Sequence, residues 1–369
     1  MLKYNCRYFT GDRPCKFHKK YKIKCDSCDY YNPVKFKILI LKFDAIGDVL
    51  RTTSILPPLK LKYPDSHITW CTKSNARELF NGNDLVDEIL TVEEDAQIRL
   101  SAEEFDIVIN LDSSKISSAI AALAKGKDKK GFVLNENGSV IPTSPDADYW
   151  LSMSAFDDIK MKNKMTYQRI IYNVAGLESK IARPILKIPD GLLELKKIQL
   201  IEDGFKPDLK TIGLNVGVGT KWPNKGWPTK NWIHLLTLLK AEKLNTFLLG
   251  GPDEHITMNE LSRRFNYLIN TGSNNNIKEF AAIVNLCDVV ITADTFALHV
   301  ATALDKKIIA MFGPTSMAEV ELYDNGVKLH STDECKCFYN KVCTESVSCM
   351  EKISAEEVYS ALKSLIEEM

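Results

Sequence analysis

One loop of this chain contains an aspartate whose position would suit a proton acceptor. In residues 42–50, Gly47 permits a tight turn between a predicted strand and a predicted helix. Asp48 then stands at the start of that helix, where the helix dipole would keep its carboxylate ionised, as a general base requires. Aspartate is also among the commonest helix caps. From this loop alone we would therefore favour a capping role for Asp48.

A second loop, residues 215–228, has the composition of a phosphate-binding turn. Its small residues would leave backbone amides exposed, while Thr220 and Lys225 add a hydroxyl group and a cation, a set that suits a diphosphate. It does not match a dinucleotide fingerprint, because Trp222 occupies the place of the third glycine. The alternative is that the three nearby tryptophans only hold the loop against its domain and leave the lysines in solvent.

Two further loops follow predicted strands in the same half of the chain. Glu254 comes after two glycines and could bind ribose hydroxyls, although Gly-Pro-Asp is also a good turn before a helix cap. Asp294 ends a predicted strand, and Thr295 opens a helix whose free amides would face a phosphate. His299 lies one turn further along that apolar helix, where a single histidine is more often a core residue than a catalytic one.

The elements that must position these loops form two successive series of buried strands and amphipathic helices. This pattern predicts an α/β protein with two Rossmann-like, doubly wound domains that face a cleft. We expect an irregular surface loop over the cleft at residues 135–165, which are rich in Pro, Asp and Ser. The predicted divisions are a cysteine-rich extension at 1–34, a first domain at 35–190, a second domain at 191–350 and a C-terminal helix at 351–369.

The composition of the 369 residues is that of a soluble globular protein, with 45% apolar and 26% charged residues. Lys plus Arg equals Asp plus Glu at 48 each, so no global basic field favours nucleic acid. The first residues lack the apolar core of a secretory signal, and no apolar run approaches the ~20 residues of a membrane span. We therefore expect a cytoplasmic protein without a nucleic-acid partner and with at most peripheral contact at the inner face of the cytoplasmic membrane.

Eight of the ten cysteines lie in two clusters near the chain ends, Cys6, Cys15, Cys25 and Cys28, then Cys335, Cys337, Cys343 and Cys349. In a reducing cytosol such clusters more often bind metal than form disulfides. The first cluster ends in a CxxC pair, which favours a tetrahedral four-thiolate site for zinc, or otherwise iron. An iron–sulfur cluster and a merely thiol-rich arm are the alternatives. The second cluster is less regularly spaced and is a possible second site.

The motifs together resemble one family. In chain order, KFDAIGDVLRTTSILPPLKLKYP, KGWP, LGGPDE, ADTFALHVATALDK and FGPT resemble the family 9 glycosyltransferases, the ADP-heptose:lipopolysaccharide heptosyltransferases. The likeness covers roughly residues 36–330. It implies a GT-B fold, with the acceptor on the first domain and the nucleotide-sugar on the second. It also implies inverting transfer from a nucleotide diphosphate donor without an essential catalytic metal or cofactor.

The resemblance assigns roles to individual residues. Asp48 matches the general base of the family, and Arg51 stands on the acceptor side, where lipopolysaccharide heptosyltransferases often have histidine. The matching donor residues are Thr220 and Lys225 at the diphosphate, Glu254 at the ribose, Asp294 and Thr295 at the phosphates, and His299 on the same helix. The N-terminal run resembles a cysteine-rich extension of some bacterial members. The C-terminal cysteines resemble, in position, the cysteine finger of iron-containing protein heptosyltransferases.

The leading hypothesis is therefore an inverting glycosyltransferase that takes heptose from ADP-heptose. Its acceptor would be a hydroxyl group of a lipopolysaccharide core, another glycan or a protein. A sugar-nucleotide epimerase of GT-B architecture is the alternative enzyme, and a non-catalytic metal-binding scaffold is the alternative outside enzymes. Retention of Asp48, Lys225 and Asp294 argues against the scaffold, since a non-catalytic protein has no need for all three.

Overall fold

A computed structural model describes residues 1–93, 96–331 and 335–369. The strands of its first half are β1 (Phe36–Leu41), β2 (Ser66–Thr72), β3 (Glu88–Thr91), β4 (Glu104–Asn110), β5 (Lys125–Leu134) and β6 (Val140–Pro142). Those of its second half are β7 (Thr211–Asn215), β8 (Asn245–Leu249), β9 (Leu268–Asn270), β10 (Val289–Ala293), β11 (Lys307–Phe312) and β12 (Gly326–His330).

The α-helices alternate with these strands. In the first half they are α1 (Lys16–Tyr21), α2 (Ile46–Thr52), α3 (Leu56–Lys62), α4 (Ala96–Ala102), α5 (Lys115–Leu123), α6 (Pro145–Ala155), α7 (Asp157–Lys162) and α8 (Tyr167–Ala175). In the second half they are α9 (Leu192–Glu202), α10 (Thr229–Leu239), α11 (His255–Arg264), α12 (Ile277–Asn285), α13 (Phe296–Ala303) and α14 (Ala355–Glu367).

The strands form two six-stranded sheets, in the orders β3-β2-β1-β4-β5-β6 and β12-β11-β10-β7-β8-β9. Every pairing is parallel except that of β5 with β6. The strand order reverses between β1 and β4 in the first sheet and between β7 and β10 in the second. Ligands of doubly wound sheets bind at such reversals, beyond the carboxyl ends of the strands. The fold thus confirms the predicted α/β class with two Rossmann-like halves.

Apolar packing covers both faces of the central strands. In β1 the four residues from Ile38 to Leu41 are fully buried, which explains their continuous apolar run. One apolar cluster continues from the first sheet into the second half of the chain. The C-terminal helix α14 packs with α10 on the second sheet through residues such as Val358 and Leu362. The predicted division points at 35, 190 and 350 stay predictions.

The expectation of an irregular loop at residues 135–165 is wrong. This segment contains β6, α6 and α7. The Ser144 hydroxyl accepts the backbone N–H of Ala147 at 3.2 Å, and Pro145 occupies the first turn of α6. A capping serine followed by proline is a helix start, so the same residues that suggested a loop begin a helix.

Polar contacts join the two halves. The buried Lys278 of α12 donates from Nζ to the carbonyl groups of Leu79, Asn81 and Lys187, at 3.2, 3.0 and 2.8 Å. These carbonyl groups belong to the first half and to the connection between the halves. Within the described part of the chain, no helix has both the length and the apolar character needed to span a membrane.

Candidate active site

Asp48 lies in the first turn of α2, beyond the carboxyl end of β1. Its Oδ2 accepts the backbone N–H of Ala45 at 3.2 Å, and its Oδ1 accepts Nε and Nη2 of Arg51 at 2.9 and 2.7 Å. Burial would raise the pKa of Asp48, but Arg51 and Lys42 hold it well below its usual range. Asp48 therefore caps the helix and is also ionised, so the two interpretations of this residue are compatible.

Arg51 connects Asp48 to the other half of the molecule. Its guanidinium group lies 3.5 Å from the centroid of the Tyr167 ring, and its Nη1 donates to the backbone carbonyl of Glu319 at 3.4 Å. Desolvation would lower the pKa of Arg51, but Asp48, Asp294 and other neighbouring acidic groups together more than offset this and raise the pKa. Arg51 therefore stays charged and lies directly against the candidate base, so a substrate hydroxyl that approaches Asp48 meets Arg51 as well.

His299 lies where the starts of α2 and α13 meet. A Cβ atom on Gly47 would be only 2.6 Å from Cδ2 of His299, so this position of α2 has no room for a side chain. Burial, reinforced by Arg51, lowers the pKa of His299 to about 4. The imidazole is thus neutral at pH 7. The core interpretation explains its burial, but the charges of Asp48 and Asp294 both act on it, so it also belongs to the site.

Lys225 and Asp294 form an ion pair at the carboxyl edge of the second sheet. Nζ of Lys225 lies 3.0 Å from Oδ2 of Asp294 and also donates to the Asp294 carbonyl at 3.3 Å. Burial would raise the pKa of Asp294, but Lys225 and, to a smaller extent, Arg51 lower it. A carboxylate repels a diphosphate, so the geometry gives Asp294 the role of fixing Lys225.

Asn215, at the end of β7, ties the donor-side loops together. Its Nδ2 lies within hydrogen-bond distance of the Gly217 carbonyl at 2.8 Å, the Thr292 hydroxyl at 3.2 Å and the Thr295 hydroxyl at 3.3 Å. Thr295 precedes α13, whose first backbone amides lack partners within the helix, as in any helix start. The sequence analysis missed Asn215, although its place at the end of a buried strand was a usable signal.

The two remaining residues predicted on the donor side, Glu254 and Thr220, differ in their contacts. Glu254 accepts the backbone N–H of Gly219 at 2.9 Å with Oε1 and that of Gly251 at 2.8 Å with Oε2. A Cβ atom on Gly217 would lie 1.9 Å from Cγ of Glu254. Glu254 therefore fixes two loops, and contact with a ribose would use its remaining lone pairs. Thr220 is exposed on the same loop.

Three further residues at the cleft were missed from the sequence. Nζ of Lys160, from α7, lies 3.7 Å from the centroid of the Tyr339 ring and 3.9 Å from Oε1 of Glu319. Burial raises the pKa of Glu319. Its Oε1 is buried without a hydrogen-bond partner among the described residues. These residues come from three distant segments, so only the assembled fold brings them together.

The C-terminal cysteine segment (residues 335–350) places Tyr339 at the cleft. The backbone N–H of Tyr339 donates to the Pro314 carbonyl at 2.8 Å, and its ring meets the Trp222 ring edge-on at 6.3 Å. A Cβ atom on Gly313 would lie 2.6 Å from Cγ of Met350, so the segment packs directly on the turn after β11. The segment is therefore a wall of the candidate site.

The two cysteine clusters differ in how closely their sulfur atoms meet. Sγ of Cys335 lies 3.5 Å from that of Cys337 and 3.4 Å from that of Cys349. These three ligand atoms all lie within 4.8 Å of one another. Burial, together with the Cys343 and Cys335 thiols, raises the pKa of Cys337 to about 12. In the fully described residues 1–34, no three of the four predicted ligand sulfurs are that close.

Comparison with known proteins shows which proteins this chain is similar to. The chain is 22% identical over 310 residues to lipooligosaccharide heptosyltransferase 2 of Haemophilus influenzae, covering 76% of this chain and 84% of that protein. The model of glycosyltransferase family 9 (heptosyltransferase) matches residues 190–350, which include every predicted donor-binding residue. The chain is a glycosyltransferase that is similar to family 9, whose model matches its second half.

Solved structures show the same fold for this glycosyltransferase. The family 9 glycosyltransferase of Veillonella parvula superposes with a TM-score of 0.77 at 20% identity, covering 91% of this chain and 98% of that one. ADP-heptose lipopolysaccharide heptosyltransferase II of Escherichia coli superposes with a TM-score of 0.67 at 18% identity, covering 90% and 99%. The predicted GT-B fold is thereby confirmed.

Proposed function

We propose that this glycosyltransferase transfers heptose from ADP-heptose to a hydroxyl group of a lipopolysaccharide core, with inversion at the anomeric carbon. The observation that carries the proposal is the arrangement around His299. On one side stands an ionised, solvent-reachable Asp48, and on the other the Lys225–Asp294 pair at a helix start. Two of the proteins named above support the substrates, since the Haemophilus influenzae relative is a lipooligosaccharide heptosyltransferase and the Escherichia coli structure is an ADP-heptose lipopolysaccharide heptosyltransferase.

The donor side would hold the diphosphate through one cation and through backbone amides. Lys225 offers a charge-assisted hydrogen bond, and the first turn of α13 offers unpaired N–H groups and the positive end of the helix dipole. Both stabilise the negative charge that develops on the departing ADP. Asp294 keeps the ammonium group of Lys225 in place, and Asn215 keeps Thr295 beside it.

On the acceptor side, Asp48 would take the proton of the attacking hydroxyl. The new bond forms between that oxygen and the anomeric carbon while the bond from this carbon to the ADP oxygen breaks. The hydroxyl proton becomes acidic only as the new bond forms, so a carboxylate of low basicity can accept it late in the step. Arg51 keeps Asp48 ionised, and neutral His299 adds no competing positive charge beside it.

The test is to follow ADP release and product mass with a panel of substrates. ADP-heptose is offered with truncated lipopolysaccharide core, with a free core oligosaccharide and with a serine-containing protein, and UDP-hexoses are offered as competing donors. We expect ADP release and a heptose-sized mass increase on the truncated core, with an inverted anomeric centre by NMR. Isomerisation of the nucleotide-sugar without ADP release would instead establish the epimerase, and no reaction with any pair would contradict the proposal.

We also propose that the C-terminal cysteine segment binds a single zinc or iron ion through Cys335, Cys337, Cys343 and Cys349. In a tetrahedral thiolate site with metal–sulfur bonds of about 2.3 Å, sulfur atoms lie roughly 3.8 Å apart. The 3.4 and 3.5 Å separations around Cys335 are close to that spacing. Such an ion would hold the segment against the turn at Gly313 without touching the substrates.

Elemental analysis tests this second proposal. Purified protein should contain about one equivalent of zinc or iron that is lost in Cys349→Ser, since a structural site needs its full ligand set. Ser346→Ala, in the same exposed stretch, is the matched control and should keep the ion. Equal metal content in both variants would contradict the assignment of these ligands.

A further inference from the structure

The N-terminal extension (residues 1–34) contains an open cavity that the proposed transfer reaction does not use. Its volume is ≈ 550 Å³, and all four cysteines of the extension line it: Cys6, Cys15, Cys25 and Cys28. Aromatic rings form much of the remaining wall. The rings of Phe17 and Tyr30 stack with centroids 4.0 Å apart, and Tyr8 meets Phe17 edge-on at 5.0 Å. The extension therefore surrounds one space with four thiols and an apolar shell.

The spacing of these thiols does not suit a single ion. A tetrahedral zinc site places its sulfur atoms roughly 3.8 Å apart and leaves almost no free volume between them. The extension differs on both points, because no three of its sulfurs lie within 4.8 Å of one another and its cysteines line an open space of ≈ 550 Å³. The C-terminal cysteines of the same molecule do approach that spacing, at 3.4 and 3.5 Å. The two clusters are therefore built for different occupants.

We propose that the extension binds an iron–sulfur cluster through Cys6, Cys15, Cys25 and Cys28. In such a cluster each thiolate binds a different corner of an iron–sulfide core, so the ligand sulfurs surround the core at distances well above those around one ion. Four cysteine ligands that include a CxxC pair are the usual protein contribution. This assignment replaces the zinc that the spacing in the sequence favoured.

The charge of the N-terminal extension also favours an iron–sulfur cluster. Residues 1–34 contain eight Lys and Arg against three Asp. Lys3, Arg13 and Lys24 are among the residues that line the cavity. A cubane cluster with four thiolate ligands carries a net charge of about −2, which this basic surrounding offsets.

The extension docks on the edge of the first sheet that faces away from the cleft. The Arg7 guanidinium group pairs with Asp87 and donates to the carbonyl groups of Asp65 and Ser66, at 3.1 and 3.0 Å. Asp65 and Asp87 directly precede β2 and β3, whereas Asp48 follows the carboxyl end of β1. The cluster would thus order this extension without contacting the sugar substrates, and the proposal is independent of the proposed transfer reaction.

The experiment measures iron and acid-labile sulfide in full-length protein purified without oxygen from iron-supplied cells. The background variant is Cys335→Ser/Cys349→Ser, so that no metal at the C-terminal cysteines contributes. We expect equal amounts of iron and labile sulfide, about two to four of each per chain, and a broad visible absorption that dithionite bleaches. One equivalent of zinc, iron without sulfide, or neither metal nor sulfide would overturn the proposal.

Variants of the extension locate the cluster. In the same background, Cys25→Ser should lose most of the labile sulfide, whereas Ser27→Ala should keep it, since Ser27 lies between two ligands but does not line the cavity. Because Cys25→Ser could fail to fold, metal-free wild-type extension is also treated with ferrous iron and sulfide, or with zinc alone, in the full-length chain. Restoration of the bleachable absorption by iron and sulfide supports the proposal, and a site filled and stabilised only by zinc refutes it.

Discussion

Replacement of Asp48 by asparagine tests the proposed base most directly. The variant Asp48→Asn keeps the size of the side chain and one oxygen for the backbone N–H of Ala45, which Asp48 accepts at 3.2 Å. It removes the carboxylate that we propose takes the acceptor proton. A positioned general base contributes about 10²–10⁴ in rate, so turnover should fall by that factor, or by about 3–5 kcal/mol in the activation barrier.

The same replacement also affects stability, and the structure gives the amount. The asparagine would leave Arg51 without its charged partner. Only 12% of the Arg51 side chain and 32% of the Asp48 side chain are exposed, so the lost interaction is largely shielded from solvent. Losing a hydrogen bond to a charged group costs about 1.5–3 kcal/mol in the free energy of unfolding. Domains of this kind have about 5–15 kcal/mol of stability, so the variant should remain folded at 25 °C.

Single-turnover transfer with saturating ADP-heptose separates the two effects, because it reports the rate per folded molecule. Asp44→Asn is the matched control, since Asp44 lies in the same loop but pairs with Lys73 at 2.5 Å in a half-exposed position. An exposed pair of this kind contributes little, so the control should transfer within about twofold of the wild type. If Asp48→Asn loses stability yet also stays within about tenfold of the wild-type rate, Asp48 is only a helix cap.

Three further predictions concern the contacts around the site. Lys225→Ala should weaken ADP binding by about 1.5–3 kcal/mol in calorimetry, and unchanged affinity would mean that this loop is structural. Gly47→Ala places a Cβ atom 2.6 Å from His299 and should lower the free energy of unfolding by about 1–3 kcal/mol in urea titrations, with partial recovery when His299→Ala is added. Because the pKa of His299 is lowered to about 4, the unfolded chain binds a proton first as the pH falls from 6.5. The free energy of unfolding should therefore fall by about 3 kcal/mol between pH 6.5 and 4, and this part should be missing in His299→Gln.

The elements that could be predicted from the sequence are those with a strong apolar pattern. The run at Phe36–Leu41 and the helix at Tyr167–Ala175 are examples, since a central parallel strand is buried on both faces and a helix buries one stripe. The short strands Leu268–Asn270 and Gly326–His330 were missed, because they lie at sheet edges and carry weak patterns. In α6, capping and turn signals use the same residue types, so the helix start at Ser144 was taken for a loop.

The residues of the candidate site likewise divide into those that the sequence pattern could predict and those that it could not. Asp48, Lys225 and Asp294 could be predicted because each follows a strand that the sequence marks clearly, and a parallel sheet brings such loops to one edge. Lys160 and Tyr339 could not be predicted. The position of Lys160 is set by helix α7, whose sequence resembled a loop. The position of Tyr339 is set by the packing of the C-terminal cysteine segment on the turn at Gly313. Lys160 and Tyr339 come into contact only when the two halves of the chain are assembled.

The charges at the cleft predict how donor binding would change the basicity of the proposed base, Asp48. In the structure, Arg51 and Lys42 hold Asp48 ionised and weakly basic. A diphosphate beside Lys225 adds negative charge to the same low-dielectric region, and Arg51 already feels the charge of Asp294 there. Added negative charge raises the proton affinity of a nearby carboxylate and draws a shared guanidinium toward itself. Donor binding would therefore make Asp48 a stronger base at the moment when the acceptor proton has to leave.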